Sequence, residues 1–280
     1  MVTGTLMETT KIPRSKFLVL ISAIDALLET KGVSIPHRPL ESANEISRQL
    51  GIQSPFAITN RPSNTDSYGP GEIGRAIYEW YLERYGDKAK YDMDLGRVAF
   101  WLRGDVWFIR IPLIFDWANA DLLGFIDSLT PSFRRELTTN ETDEMKKVFR
   151  LSYEAFTYML MKEAATYVSE SRGDHRSAVD CLNPPNPHPG QSKWASLQAT
   201  EKIVKAFTTS KKQRPNFTHD LVKLAGEAEA LGLNPIDRNL LAQIQCSPKT
   251  RYGEEPISLQ EAIRAHLSAL HVSALVAVQI

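Results

Sequence analysis

The stretch "KKQRPNFTHD", Lys211 to Asp220, sets an imidazole beside a carboxylate directly after three cations, Lys211, Lys212 and Arg214. Leu221, Leu224, Ala225, Ala228 and Leu231 follow at helical spacing, with Thr218 able to cap the helix start and Gly232 able to end it. An acid at a helix start suits the helix dipole. A histidine there is not required by the fold, which makes His219 a candidate for anion or proton chemistry. A second aromatic and basic grouping lies in "VAFWLRGDVWFIRI", Val98 to Ile111, where Trp101 and Phe108 alternate with Arg103 and Arg110. Such a face can stack bases. It can equally be covered by another element, with the arginines capping ring edges by cation–π contact. "DSYGPGEIG" carries three glycines, Gly69, Gly71 and Gly74, but has no preceding strand and no Lys-Ser or Lys-Thr ending, so it is poor as a phosphate loop. No His-Glu-x-x-His or Cys-x-x-Cys occurs, so neither a metal site nor a cofactor is expected.

These residues sit in an ordinary globular composition. The chain has 280 residues, is 42% hydrophobic and 24% charged, and carries 33 basic against 33 acidic side chains. Zero net charge argues against a protein coated in cations, though not against a local basic patch. Two cysteines, Cys181 and Cys246, give no disulfide framework and point to a reducing, cytoplasmic setting. The opening residues lack the apolar core of a signal peptide. The longest apolar runs, "FLVLISAIDALL" and "LSALHVSALVAVQI", fall short of the roughly 20 residues that span a bilayer, so no membrane partner is expected.

The positioning elements read as α+β overall. Residues 15–31 form a helix with Leu18, Ile21, Ile24 and Leu28 on one stripe, 41–50 a shorter helix, and Glu72–Tyr85 another. Ala57–Glu72 is loop by composition. Val98–Ile111 is a β-hairpin turning at Gly104-Asp105, which would place Trp101 opposite Phe108. Val98, Phe100, Leu102, Trp107, Ile109 and Ile111 then share one apolar face, expected to pack on the N-terminal helices. A helix from Asp116 or Asn119 through Leu129 completes an N-terminal α+β region, 1–136. Beyond it only helical patterns appear: one long helix over 141–169 with Met145, Phe149, Ser152, Phe156, Leu160 and Tyr167 along its stripe, the proline break Asn183–Gln191, then helices near 192–208, 219–231, 238–245 and 257–278. The region 137–280 is thus a five-helix bundle.

Three short stretches in that bundle, in order, resemble the HEPN domain family. "ATEKIVKAF", Ala199 to Phe207, is similar to the family's Glu-Lys helix. "THDLVKL", Thr218 to Leu224, is similar to its Thr-His-Asp-Leu helix start. "TRYGEE", Thr250 to Glu255, is similar to its Arg-Tyr turn, and Leu259 to Val276 to its Ala-rich last helix. The resemblance covers about 141–280 and implies that Lys202, Lys205, His219, Asp220, Arg251 and Tyr252 gather in one polar region able to hold a phosphate and stack a base. It further implies binding of RNA or a nucleotide, in stress response or phage defence. The purely structural reading has Glu201 pairing with Lys205 on a solvated face, and Arg251 and Tyr252 sealing the bundle end. Nothing matches the nucleotidyltransferase motif that often accompanies such domains.

Ribonucleases of that family pair an Arg with a His a few residues on, and "RAHLSALH" offers Arg264 and His271. Seven residues return nearly to the same helix face, so guanidinium and imidazole can flank one phosphate without a metal. Against this, Ala265 stands where a polar residue is usual, and the neighbours Leu267, Leu270 and Ala274 suggest that His271 is buried. The leading expectation is therefore a non-catalytic binder of RNA or a nucleotide, with a metal-independent ribonuclease second and a structural or interaction module third. Leu267, Leu270, Ala274, Leu275 and Val278 give the last helix more apolar surface than one bundle side needs, which predicts a homodimer.

Overall fold

A computed structural model of the protein describes residues 11–51, 66–89, 94–114 and 120–280. Among these residues the chain is mostly helical with two small two-stranded sheets, an α+β composition as expected. It divides into two compact units, one of residues 1–93 and 113–120, the other of 94–112 and 121–280.

In the first unit β1 (Ile12–Pro13) pairs antiparallel with β2 (Ser67–Tyr68), and three helices follow the chain: α1 (Arg14–Thr30), α2 (Arg38–Leu50) and α3 (Pro70–Tyr85). The buried stripe of α1 is Phe17, Ile21, Ile24 and Leu28; Leu18, expected inside, is exposed. Asp25 is buried on the same helix and binds three partners: it accepts from Arg38 Nη1 at 3.3 Å and from the Tyr85 hydroxyl at 2.6 Å, and it pairs with Arg84 Nε at 3.5 Å. One carboxylate thereby ties all three helices, since a buried charge is tolerated only when paired. Most of the expected loop Ala57–Glu72 lies outside the described residues, as does the expected helix start at Asp116 or Asn119.

The second unit begins with the hairpin, β3 (Asp94–Leu102) and β4 (Asp105–Pro112). Leu102 pairs with Asp105, so the turn is Arg103-Gly104 rather than Gly104-Asp105. Both turn residues have positive φ, 50° and 87°, as a type I′ turn demands, and this turn matches the right-handed twist of the strands. Trp101 consequently faces Val106, and Phe108 faces Ala99. The pairing moves by two residues, an even number, so the two faces keep their predicted members.

Where those faces go differs from the expectation. The hairpin belongs to the unit of the C-terminal helices, so the division of the chain does not fall near residue 136. Ala99 and Phe108 form one buried cluster with Val179, Leu182, Ala262 and Ile263, and Trp101 and Val106 pack against it. Trp101 and Phe108 are thus not an open stacking platform. Arg97 covers the Phe108 ring at 4.1 Å, and Arg103 sits 5.0 Å over Phe133 while its guanidinium binds Glu141.

No α-helix forms over 120–129; a single 3₁₀ turn, Leu122–Phe125, replaces it, and Ile126 bridges to Ile109. After α4 (Pro131–Glu136) the bundle consists of α5 (Thr139–Met161), α6 (Val168–Asp180), α7 (Pro189–Ser210), α8 (Leu221–Ala230), α9 (Arg238–Ile244), the one-turn α10 (Pro248–Arg251) and α11 (Leu259–Ala277). The single helix expected over 141–169 therefore breaks after Met161. Tyr167, predicted on its stripe, takes a left-handed φ of 74° just before α6. "KEAAT" contains no helix breaker. The chain turns because reversal lets α6 bury Val168, Ser171, His175 and Val179, and tertiary burial outweighs propensity.

The last helix, α11, packs on α5, α7, α9 and β3. Leu270 and Ala274 are buried there, with Leu267 and Leu275 half-buried and Val278 exposed. Its excess apolar surface is largely consumed within one chain, which removes the argument from which a homodimer was expected. No helix among the described residues is long and apolar enough to cross a membrane.

Candidate functional site

The six residues expected in one polar region stand in three places. The first is a cluster on the outer stripe of α7, where Trp194, Gln198, Glu201 and Lys205 recur at intervals of three and four and so share a face. Lys205 Nζ donates to Glu201 Oε1, and His219 Nδ1 lies 2.7 Å from Glu201 Oε2, to which it donates. Gln198 reaches the same carboxylate oxygen at 3.4 Å, and the Trp194 ring meets the imidazole edge-on at 5.3 Å. Glu201 and Lys205 are each only 7% exposed, so this is a buried ion pair and not the solvated i, i+4 pair the sequence suggests. His219 itself is exposed.

Asp220, next to His219, is engaged otherwise. Its carboxylate accepts from the Lys223 backbone N–H at 3.0 Å and caps α8. Thr218, expected as the cap, instead accepts from the Asp220 N–H at 3.1 Å. Lys202 points to the neighbouring helix and binds Asp174 on α6 at 2.6 Å. Burial raises the Asp174 pKa, and the Lys202 ammonium only partly opposes that.

Arg251 and Tyr252 form the third place. They line an open cavity of about 310 Å³ with His188, Gly190 and Gln191, at the first turn of α7. Glu201 lies eleven residues further along that helix, roughly 16 Å at about 1.5 Å per residue, so the Arg-Tyr turn and His219 do not share one pocket. A close approach fixes the turn in place: a Cβ at Gly190 would run into the Thr250 carbonyl oxygen. Gly190→Ala is expected to push α10 off α7 at a cost on the order of 1–3 kcal/mol, as overpacking does. Thermal melts followed by circular dichroism check this, with exposed Gln191→Ala as the control; equal melting of both variants would show the turn is not pinned there.

The proposed catalytic pair is also rearranged. His271 is exposed, contrary to the expected burial, because the apolar residues near it in sequence, Leu270 and Ala274, turn inward. Arg264 is exposed as well but borders a cavity shared with the hairpin tip. The buried histidine of "RAHLSALH" is His266. It lies ring to ring with His175 of α6, centroids 5.8 Å apart, and both are fully buried. His175 Nε2 shares a 2.8 Å hydrogen bond with Ser273 Oγ, whereas His175 Nδ1 and both nitrogens of His266 have no hydrogen-bond partner in the protein. Burial pushes the His266 pKa down to about 4, and burial with the charge of His266 pushes His175 well below the ordinary imidazole range.

Sequence reading overlooked further groups. Phe217, two residues before His219, is 80% exposed, with Lys205 Nζ 5.6 Å and Arg214 Cζ 5.8 Å from its ring centre. An aromatic ring inside a basic, proline-containing loop was the available signal. His175 was legible too, since Val168, Ser171, His175 and Val179 repeat at helical spacing, although the helix expected there ends at residue 169. Among the described residues no cluster of three or more His, Cys, Asp or Glu could hold a metal ion, and Cys181 and Cys246 are free thiols. No protein-family model matches this chain, and the comparisons with curated proteins and with solved structures likewise yield no match.

Proposed function

We propose that the C-terminal unit binds single-stranded RNA without cleaving it, through the aromatic and basic surface beside α7, in keeping with the HEPN-like order of its motifs. One observation carries this reading. Among the described residues only two aromatic side chains are exposed, Phe217 at 80% and Tyr252 at 72%, and each has an arginine over its ring, Arg214 and Arg251, both at 5.8 Å. A ring beside a guanidinium is the pairing that stacks a base while holding its phosphate. Lys211, Lys212 and Arg214 add exposed charge next to Phe217. Gly190 and Lys205, which mark the two ends of the surface, are fifteen residues apart on α7, about 22 Å, a span suited to several nucleotides and not to one mononucleotide.

Lys205 contributes less than its position suggests, because Glu201 already neutralises it. The expected result is that Phe217→Ala and Tyr252→Ala each weaken binding of a fluorescein-labelled oligouridylate by about 1–3 kcal/mol, the range for a lost base–aromatic stack, with melting temperature unchanged. Affinity falls as salt rises, through release of phosphate counterions. The labelled RNA remains intact in the presence of a chelator, since Leu267 lies between Arg264 and His271 and no hydrogen bond joins them. Fluorescence anisotropy with both variants decides the matter: affinities equal to the parent protein, or no binding at low salt, remove the proposal. Chelator-resistant cleavage abolished by His271→Ala would replace it with the ribonuclease reading.

A further inference from the structure

The tip of the hairpin and the first turns of α5 and α11 border a second open cavity, of about 400 Å³, on the same unit but away from the α7 stripe. Most of its wall area is apolar, with Asn140, Glu141, Glu144, Gln260 and Arg264 as its polar members. Phe100 and Leu102 come from β3, Met145 and Val148 from α5, Ile263 and Leu267 from α11. Four of these, Phe100, Leu102, Met145 and Ile263, are buried, while Asn140, Glu144, Gln260 and Arg264 of the same lining are exposed, so the cavity opens to solvent. At about 30 Å³ for each water displaced, it holds roughly a dozen heavy atoms.

The charged side chains around it are unequal. Glu141 is occupied by Arg103 Nε at 2.7 Å and by the Thr138 N–H at 2.8 Å. Glu144 is paired with Lys147 at 2.6 Å. Arg264 alone among the charged lining residues has no ion pair or hydrogen bond, although its field helps to lower the Glu261 pKa. A largely apolar cavity open to solvent, bordered by one unpaired cation, is complementary to one kind of ligand, an apolar body ending in a single anionic group. A guanidinium fits a carboxylate fork best. A polyphosphate would leave most of its charge facing hydrocarbon, which is costly.

We infer that this cavity binds a small carboxylate with an aryl or alkyl body, Arg264 holding the carboxylate while Met145, Val148 and Leu267 surround the body. The role assigns Arg264 to ligand binding and not to phosphodiester cleavage. It is independent of RNA binding, because Phe217 and Tyr252 take no part.

The test is calorimetric titration of the full-length chain with 4-phenylbutyrate, and with 4-phenylbutanamide as the uncharged counterpart. The acid is expected to bind saturably, one per chain, and the amide about tenfold more weakly. Arg264→Met should weaken the acid about tenfold and leave the amide unchanged, while Val148→Trp, which fills the cavity, should abolish both. Arg264 is exposed, so the methionine variant keeps the proposal testable if the tryptophan variant does not fold. No saturable binding of the acid at about 5 mM, weaker than any affinity worth about −3 kcal/mol, overturns the inference. So does equal affinity for acid and amide, or indifference to Arg264→Met.

Discussion

Acidification from pH 7 to pH 5 is expected to remove on the order of 3 kcal/mol of folding stability, well before the carboxylates titrate. The cause is the imidazole pair His175 and His266. Both are fully buried and neutral in the folded chain, with pKa values below the unfolded value of about 6.5. The unfolded chain therefore binds more protons through this interval, and stability rises with pH where that holds. The contribution is complete above about pH 6.5 and is lost progressively as pH falls toward the folded value of about 4 for His266. Two such groups give a slope approaching about 2.7 kcal/mol per pH unit below the unfolded pKa.

Other groups act lower in pH. Glu45 and Glu141 are held down to about 2, mainly by Arg48 and Arg103, and their contributions fade only below the ordinary carboxylate range. Asp174, raised by burial, works in the opposite sense in that lower interval. Urea unfolding at pH 7, 6 and 5 measures the slope. His266→Leu should halve it and also raise stability at pH 7, because both imidazole nitrogens are buried without partners and an apolar replacement relieves that cost. A slope under about 0.5 kcal/mol per pH unit between pH 6.5 and 5 would show that protons reach the pair without unfolding.

The second large effect is expected at Glu201. Its carboxylate is the shared acceptor of Lys205, His219 and Gln198, and the Glu201 and Lys205 side chains are only 10% and 9% exposed. Glu201→Ala leaves a nearly buried ammonium without its counter-ion, and breaking such a pair from one side costs roughly 3 kcal/mol. Removing both charges, as Glu201→Leu with Lys205→Met, should recover most of that loss, since two apolar groups of similar shape need no partners. Chemical denaturation of the single and double variants gives the coupling directly. A single variant within 1 kcal/mol of the parent chain would mean that the pair behaves as a surface one. The same carboxylate holds His219, the third member of the network, and so ties the loop before α8 to α7.

What the order of residues determined by itself was local. Apolar periodicity placed the helices later seen as α1, α3, α7 and α8 and the face membership of the hairpin, because a helix or strand buries one side and its repeat is written in the chain. Gly232 ends α8 with a left-handed φ of 99°, as its position just past the apolar repeat implied.

What required the tertiary structure was every choice between equivalent local solutions. Two adjacent turns, Arg103-Gly104 and Gly104-Asp105, preserve the same hairpin faces, and only pairing selects between them. Nothing in "KEAAT" demands the reversal that creates α6, and without α6 His175 has no place in the core. In "RAHLSALH" the two histidines stand five positions apart on one helix, so periodicity puts them on different faces but cannot say which is inside. The packing of α5, α7, α9 and β3 around α11 turned His266 inward and left His271 in water. The six polar residues divide for the same reason: their side chains take the nearest partner on whichever helix lies beside them, and that neighbour is set by long-range packing, which no local spacing encodes.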